Sequence, residues 1–148
     1  MPKAATDKRT KRTRKREFRS GCPLACALDL IGDKWSLVVV RDMMLGKRKY
    51  REFLGSPEGI PTNILADRLK SLEGQGIVRR RRYQAHPVRH EYALTRKGAE
   101  LLPVLQQFVI WARKHVPGRW GAPPKGFFDA TPAELLAPKP KAPGGKGD

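Results

Sequence analysis

The chain has 148 residues, room for one domain, and sets 31 Lys and Arg against 14 Asp and Glu for a net charge of +17. So large a cationic excess points to a polyanionic partner, nucleic acid before an anionic membrane surface. The longest apolar run near its centre, Leu37-Val38-Val39-Val40, is far too short for a bilayer span, and two cysteines, Cys22 and Cys26, are too few for a disulfide scaffold.

Residues 1–20 hold nine basic and two acidic side chains and almost no apolar ones, so they read as a disordered cationic arm. No apolar segment follows the arm as in a secretory leader, and a reducing, cytoplasmic, nucleoid-associated setting is expected. Residues 21–117 hold 17 basic and nine acidic side chains, so the charge belongs partly to the folded unit.

That unit opens with Leu24, Leu28 and Ile31 at helical spacing, stopped by Gly32. Asp33 is a good N-cap for a second helix, Trp35 to Leu45, which is apolar on most sides and therefore central. Its β-branched run also suits a strand; the length and the flanking Asp33 and Gly46 favour helix. A short helix over Lys49 to Leu54 turns Tyr50, Phe53 and Leu54 inward. After the turn at residues 55–59, Ile64, Leu65, Leu69 and Leu72 mark another helix from about Pro61 to Glu73. Two helices joined by a short glycine-containing turn make a helix-turn-helix.

Ile77–Tyr83 and Val88–Leu94 then read as a hairpin, the second run in strict strand alternation, with residues 84–87 at the tip. The last helix starts at the Thr95 cap and runs to about His115. Pro103 should kink it by crowding the carbonyl of Ala99. Its inward stripe reads as Leu101, Val104, Leu105, Phe108 and Ala112, with Leu102, Val109 and Trp111 on a further face. This surplus predicts a partner subunit. Residues 117–148 hold seven prolines and six glycines and read as a tail. Within it, Thr131-Pro132-Ala133-Glu134 forms a capping box for a short helix over 132–137, led in by Phe127 and Phe128. The fold class is thus mainly α with a small β-hairpin: a winged helix-turn-helix.

No phosphate loop, nucleophile elbow or paired carboxylates are present, so no catalytic residues and no enzyme activity are expected. His86, His90, His115 and the cysteines lack zinc-like spacing, so neither a metal nor another cofactor is expected.

Several segments carry a family resemblance. Cys22-Pro23-Leu24 followed by Gly32-Asp33-Lys34-Trp35 resembles the opening of HxlR-type regulators. The segments Gly46 to Phe53, Ile60 to Val78 and Pro87 to Gly98 resemble their helix-turn-helix, its exit and the return strand of their wing. Leu102-Pro103-Val104-Leu105 and Trp111 fit as well. The resemblance spans about residues 21–116 and departs at Pro61, where the family often has Ser. It implies a winged helix-turn-helix over 21–116 that dimerises through its terminal helices, a repressor or in some members an activator, and in some members a cysteine near the first helix that senses oxidants or electrophiles.

In such a fold the second helix of the motif enters the major groove, where Asn pairs with adenine and Thr gives a small donor or methyl contact. Thr62 and Asn63 stand at its start, with Arg68 and Lys70 off the leucine stripe. Arg68 also suits an internal balance with Asp67. Of the run Arg79-Arg80-Arg81-Arg82, alternate members face opposite sides, and Arg79 and Arg81 are taken as the duplex-facing pair. Lys47, Arg48, Lys49, His86 and Arg89 suit phosphate or groove contacts. The dimer interface is expected at Leu24, Leu28, Leu102, Leu105, Val109 and Trp111. Cys22 is the redox candidate, a small packing residue its alternative reading. An effector pocket at the subunit boundary, lined by Trp35, Phe108 and Trp111, is weaker than plain core packing.

The leading function is a homodimeric, sequence-specific transcriptional repressor that binds double-stranded DNA at a near-palindromic operator. The alternative is a nonspecific architectural protein that coats nucleic acid. No membrane partner is expected.

Overall fold

Helix order follows from where the chain supplies caps. In the computed structural model, which describes residues 17–138, α1 (Pro23–Ile31) starts on Pro23 at a position that needs no N–H. Its C-terminal Gly32 returns an N–H to the carbonyl of Leu28. The Asp33 carboxylate then accepts the backbone N–H groups of Trp35 and Ser36, both at 3.0 Å, which launches α2 (Ser36–Met44). Val39, Val40 and Met43 bury it at the centre of the molecule.

After α2 come α3 (Tyr50–Leu54), α4 (Thr62–Gly74), and the antiparallel strands β1 (Val78–Ala85) and β2 (Val88–Leu94). The core is the layer where α2, α3 and α4 meet the base of the hairpin: Phe53, Leu65, Leu69 and Leu72 from the helices, Val78 and Leu94 from the strands. Lys49 adds an isolated bridge to Glu91, and the Tyr92 N–H donates to the Arg48 carbonyl at 2.7 Å, so the α2–α3 connection lies along the open edge of β2.

Three expectations change. The hairpin tip is two residues, His86-Pro87, because Ala85 pairs with Val88; the extra residue is absorbed at Tyr83, where the register shifts between Arg82 and Gln84. The last helix is divided rather than kinked: α5 (Arg96–Ala99) ends before Pro103, which falls in the first turn of α6 (Leu102–His115), where its missing N–H costs nothing. The segment after Pro117 is not only a tail. Gln106 Nε2 donates to the carbonyls of Phe127 (2.8 Å), Ala130 (3.0 Å) and Phe128 (3.4 Å), and α7 (Pro132–Leu136) lies against α5 with Leu135 packed on the core. Its capping box between Thr131 and Glu134 is complete.

Candidate nucleic-acid interface

The start of α4 is built from both sides. Pro61, in extended conformation, precedes the first helical residue Thr62, so Thr62 is not the cap and its hydroxyl is not spent on the helix. Tyr50 Oη of α3 donates to the Thr62 carbonyl at 2.5 Å and holds the two helices of the motif together at that point. With Leu65, Leu69 and Leu72 turned into the core, helical period puts Asn63 and Lys70 outward; Thr62, in line with the leucines but at the helix end, and Ala66 on the flank are exposed as well. The N-terminal end of the helix dipole adds partial positive charge at the same place.

The hairpin settles which arginines share that side. Val78 and Leu94, Arg80 and Tyr92, and Arg82 and His90 are paired, so these residues lie on one face. Tyr92 meets Phe53 edge to face with ring centroids 6.4 Å apart, and Arg80 Nε lies 3.6 Å from Glu73 of α4. Burial, only partly offset by Arg80, pushes the Tyr92 phenol above its ordinary range. Arg80 and Arg82 are therefore on the α4 side. Arg79 and Arg81 take the opposite face, with Ala93 and Glu91, and Arg81 is paired with Glu91. The expected duplex-facing pair, Arg79 and Arg81, thus lies on the face away from α4. The sequence could not set the parity because Ile77 and Val78 are adjacent and both buried.

Other expected contacts are engaged inside the protein. Lys47 Nζ donates to Ser56 Oγ at 2.8 Å and lies 3.6 Å from the buried carboxylate of Asp42. The same carboxylate accepts from Arg41 at 2.9 Å, and Arg41 grips Glu58 at 2.5 and 2.8 Å. Lys47 thus neutralises a buried acid and is corrected from a surface phosphate contact to a core-side partner. Arg48 Nη1 donates to the Met43 carbonyl at 3.4 Å. Arg68 pairs with Asp67 and lies 3.4 Å from Asp33, tying α4 to the turn before α2, so the internal balance holds for it. Asp67 chiefly, and Asp33 with it, raise the Arg68 guanidinium further. Burial works against ionisation of Asp33, but Ser36, two backbone N–H groups and Arg68 outweigh it and hold the carboxyl below its usual range. Lys49 is exposed, its ammonium 4.7 Å from the centre of the Tyr83 ring. His86 and Arg89 are exposed at and beside the tip.

Leu24, Leu28 and Trp111 are 67%, 48% and 60% exposed, and Val109 is half-buried. Leu102 and Leu105 are corrected: both are buried within the protomer, because Pro103 restarts the helix and resets which residues face inward. The outward stripe on α6 is Val104, Phe108 and Trp111 instead. Phe108 and Trp111 are exposed and not part of the protomer's core; Trp35 packs on the core. Cys22 is the exposed N-cap of α1, its N–H bonded to Ser20 Oγ at 3.1 Å, while Cys26 Sγ points to the Ser20 carbonyl at 3.4 Å. Arg19 contacts Asp29 at 2.5 Å, so residues 19 and 20 belong to the α1 cap rather than to the arm; residues 1–16 of the arm lie outside the described residues. No helix among the described residues is long and apolar enough to cross a membrane.

Comparison with known proteins gives this geometry its context. An HTH-type transcriptional regulator of Synechocystis sp. is 40% identical over 90 residues, 60% of this chain and 67% of that protein. The redox regulator HypR in its oxidised form superposes with a TM-score of 0.59 at 34% identity, covering 66% of this chain and all of HypR. The reduced form of the transcriptional regulator YodB from Bacillus subtilis does so with a TM-score of 0.56 at 33% identity, covering 68% of this chain and all of YodB. The family profile described as HxlR-like helix-turn-helix matches residues 30–119, and with the motif helices α3 and α4 and the β1–β2 wing in place, the chain belongs to that family of transcriptional regulators.

Proposed function

We propose that the protein is a sequence-specific repressor that binds a near-palindromic operator as a homodimer. The observation that carries this reading is the co-location of Thr62 and Asn63, exposed at the start of α4, with Arg80 and Arg82 on the α4 side of the wing. The helix presents base-reading groups to the major groove while the wing and its tip, His86 and Arg89, reach the flanking backbone. Lys49 and Lys70 supply further phosphate contacts. Two such units need half-sites about 34 Å apart.

The dimer forms through α1 and α6. In α1 only Ile31 is buried, and a nine-residue helix has little stability without a partner to cover Leu24 and Leu28. Cys22, exposed at the N-cap of that helix, gives oxidants or electrophiles a handle on the interface, in keeping with the redox regulator among its structural relatives. The family match starts at residue 30, so the thiol reading rests on position and exposure.

The test is competition. The protein should hold its own promoter fragment against excess genomic DNA, and Asn63→Ala should cost about 1–3 kcal/mol on the cognate site with little change on random DNA. Equal losses on both would favour the coating protein instead. For the thiol, diamide should weaken operator binding by wild type and leave Cys22→Ser unaffected.

A further inference from the structure

Beyond the duplex-binding face, we propose that the cleft between the wing and the C-terminal strap binds an organic anion with an apolar body, an aromatic or medium-chain carboxylate or sulfonate. The cleft has a volume of about 800 Å³, the size of a small-molecule site. Its floor is Met43 and Met44 of α2 with Ala93 of β2, and its far wall is Leu135 and Leu136 of α7. Methionines make such a floor adaptable to ligand shape.

The rim is cationic and incompletely neutralised. Arg48, Arg79 and Arg81 line the cleft, and so do Glu91 and Glu134; Arg80, also at its edge, is held by Glu73 on the α4 side. Both acids are already engaged. Glu91 accepts from Arg81 Nε at 2.9 Å, and Glu134 Oε2 accepts the Thr131 backbone N–H at 2.8 Å inside its capping box. Arg79 has no ion-pair partner among the described residues, and the Arg48 guanidinium meets only the Met43 carbonyl. Arg79 also faces away from α4, so reading a duplex with α4 does not use it. An exposed guanidinium beside an apolar floor suits a ligand that is charged at one end and greasy at the other.

The far wall is built by this chain's own extension. The family match ends at residue 119, whereas α7 is held in place through Gln106 and the core contact of Leu135. A ligand here would touch the wing base and the strap together.

The experiment uses the full chain and the dye 8-anilinonaphthalene-1-sulfonate. Its fluorescence should rise saturably and be displaced by decanoate. Arg79→Glu and Leu136→Asp, both at exposed positions, should each weaken dye binding about tenfold or more. Arg81→Gln is the third variant should either fail to match the wild-type circular dichroism. Arg51→Glu on α3 and Lys114→Glu on α6 should leave dye affinity unchanged. Unchanged affinity in the cleft variants, or loss of the signal in Phe108→Glu, overturns the site. So does equal displacement by inorganic phosphate or by the uncharged N-phenyl-1-naphthylamine, because one end of the ligand would then contribute nothing. Displacement by a random-sequence duplex would assign these arginines to DNA and also overturn it.

Discussion

Gly98 shows how a single atom constrains the wing. It sits in α5 directly over the start of β1, and a Cβ there would overlap the carbonyl oxygen of Ile77. That oxygen cannot retreat freely: it accepts the Thr95 N–H and the Thr95 hydroxyl, both at 3.1 Å. Gly98→Ala should therefore destabilise the fold by about 1–3 kcal/mol, read as a lower midpoint in urea unfolding; an unchanged midpoint would show that the junction yields. Glu58 is an acid-sensitive residue. Its bond to Arg41 is the main cause that lowers its carboxyl from 4.5 to about 2, and the same bond raises Arg41. A carboxyl lowered in the folded state stabilises fully above its ordinary value and loses that contribution as pH falls through the folded value. Wild type should thus lose stability relative to Glu58→Gln between about pH 4.5 and 2, measured by urea unfolding across that window. Parallel curves for the two proteins would refute the linkage.

At the scale of elements, α1 and α6 are the incomplete ones. Phe108 and Trp111 are 56% and 60% exposed on α6, more than a helix of one small domain leaves to water without a use. Charge there should be excluded from any apolar contact between copies. The double variant Phe108→Glu, Trp111→Glu should elute as a monomer by size exclusion with light scattering, and its far-ultraviolet dichroism should fall as α1 loses its cover. A variant that stays dimeric would move the interface elsewhere. By contrast α4 is complete: its leucines are sealed in the core, Arg68 ties it to Asp33, and Tyr50 fixes its first carbonyl. A rigid mount of this kind limits the ordering cost of any contact made through the exposed side of α4.

For the whole molecule the dominant quantity is charge. The net +17 is shared between the arm and the domain, and phosphate binding by either one releases counterions. Residues 2–16 precede Arg19 in sequence, so deleting them keeps both partners of the Arg19–Asp29 pair. The truncated protein should bind cognate and random DNA more weakly to a similar degree, with a shallower salt dependence, by about 0.9 in slope for each phosphate that the arm had neutralised. Titration at several salt concentrations checks this; an unchanged slope would mean that the arm does not touch the duplex.

Helix positions, caps and the hairpin were legible in the order of residues because they obey local rules. Asp33, Thr95 and the Thr131–Glu134 box act within a few bonds of themselves, and the leucines of α4 repeat at helical period. Long-range placement decided the rest. Whether Arg79 or Arg80 shares a side with α4 depends on which strand face meets Phe53, and the role of Lys47 depends on Asp42 and Ser56 arriving from separate segments. Leu102 and Val104 exchanged their expected faces because Pro103 opened a new helix rather than bending an old one. Periodicity tells a residue which neighbours lie beside it, but only the packed chain determines what lies opposite.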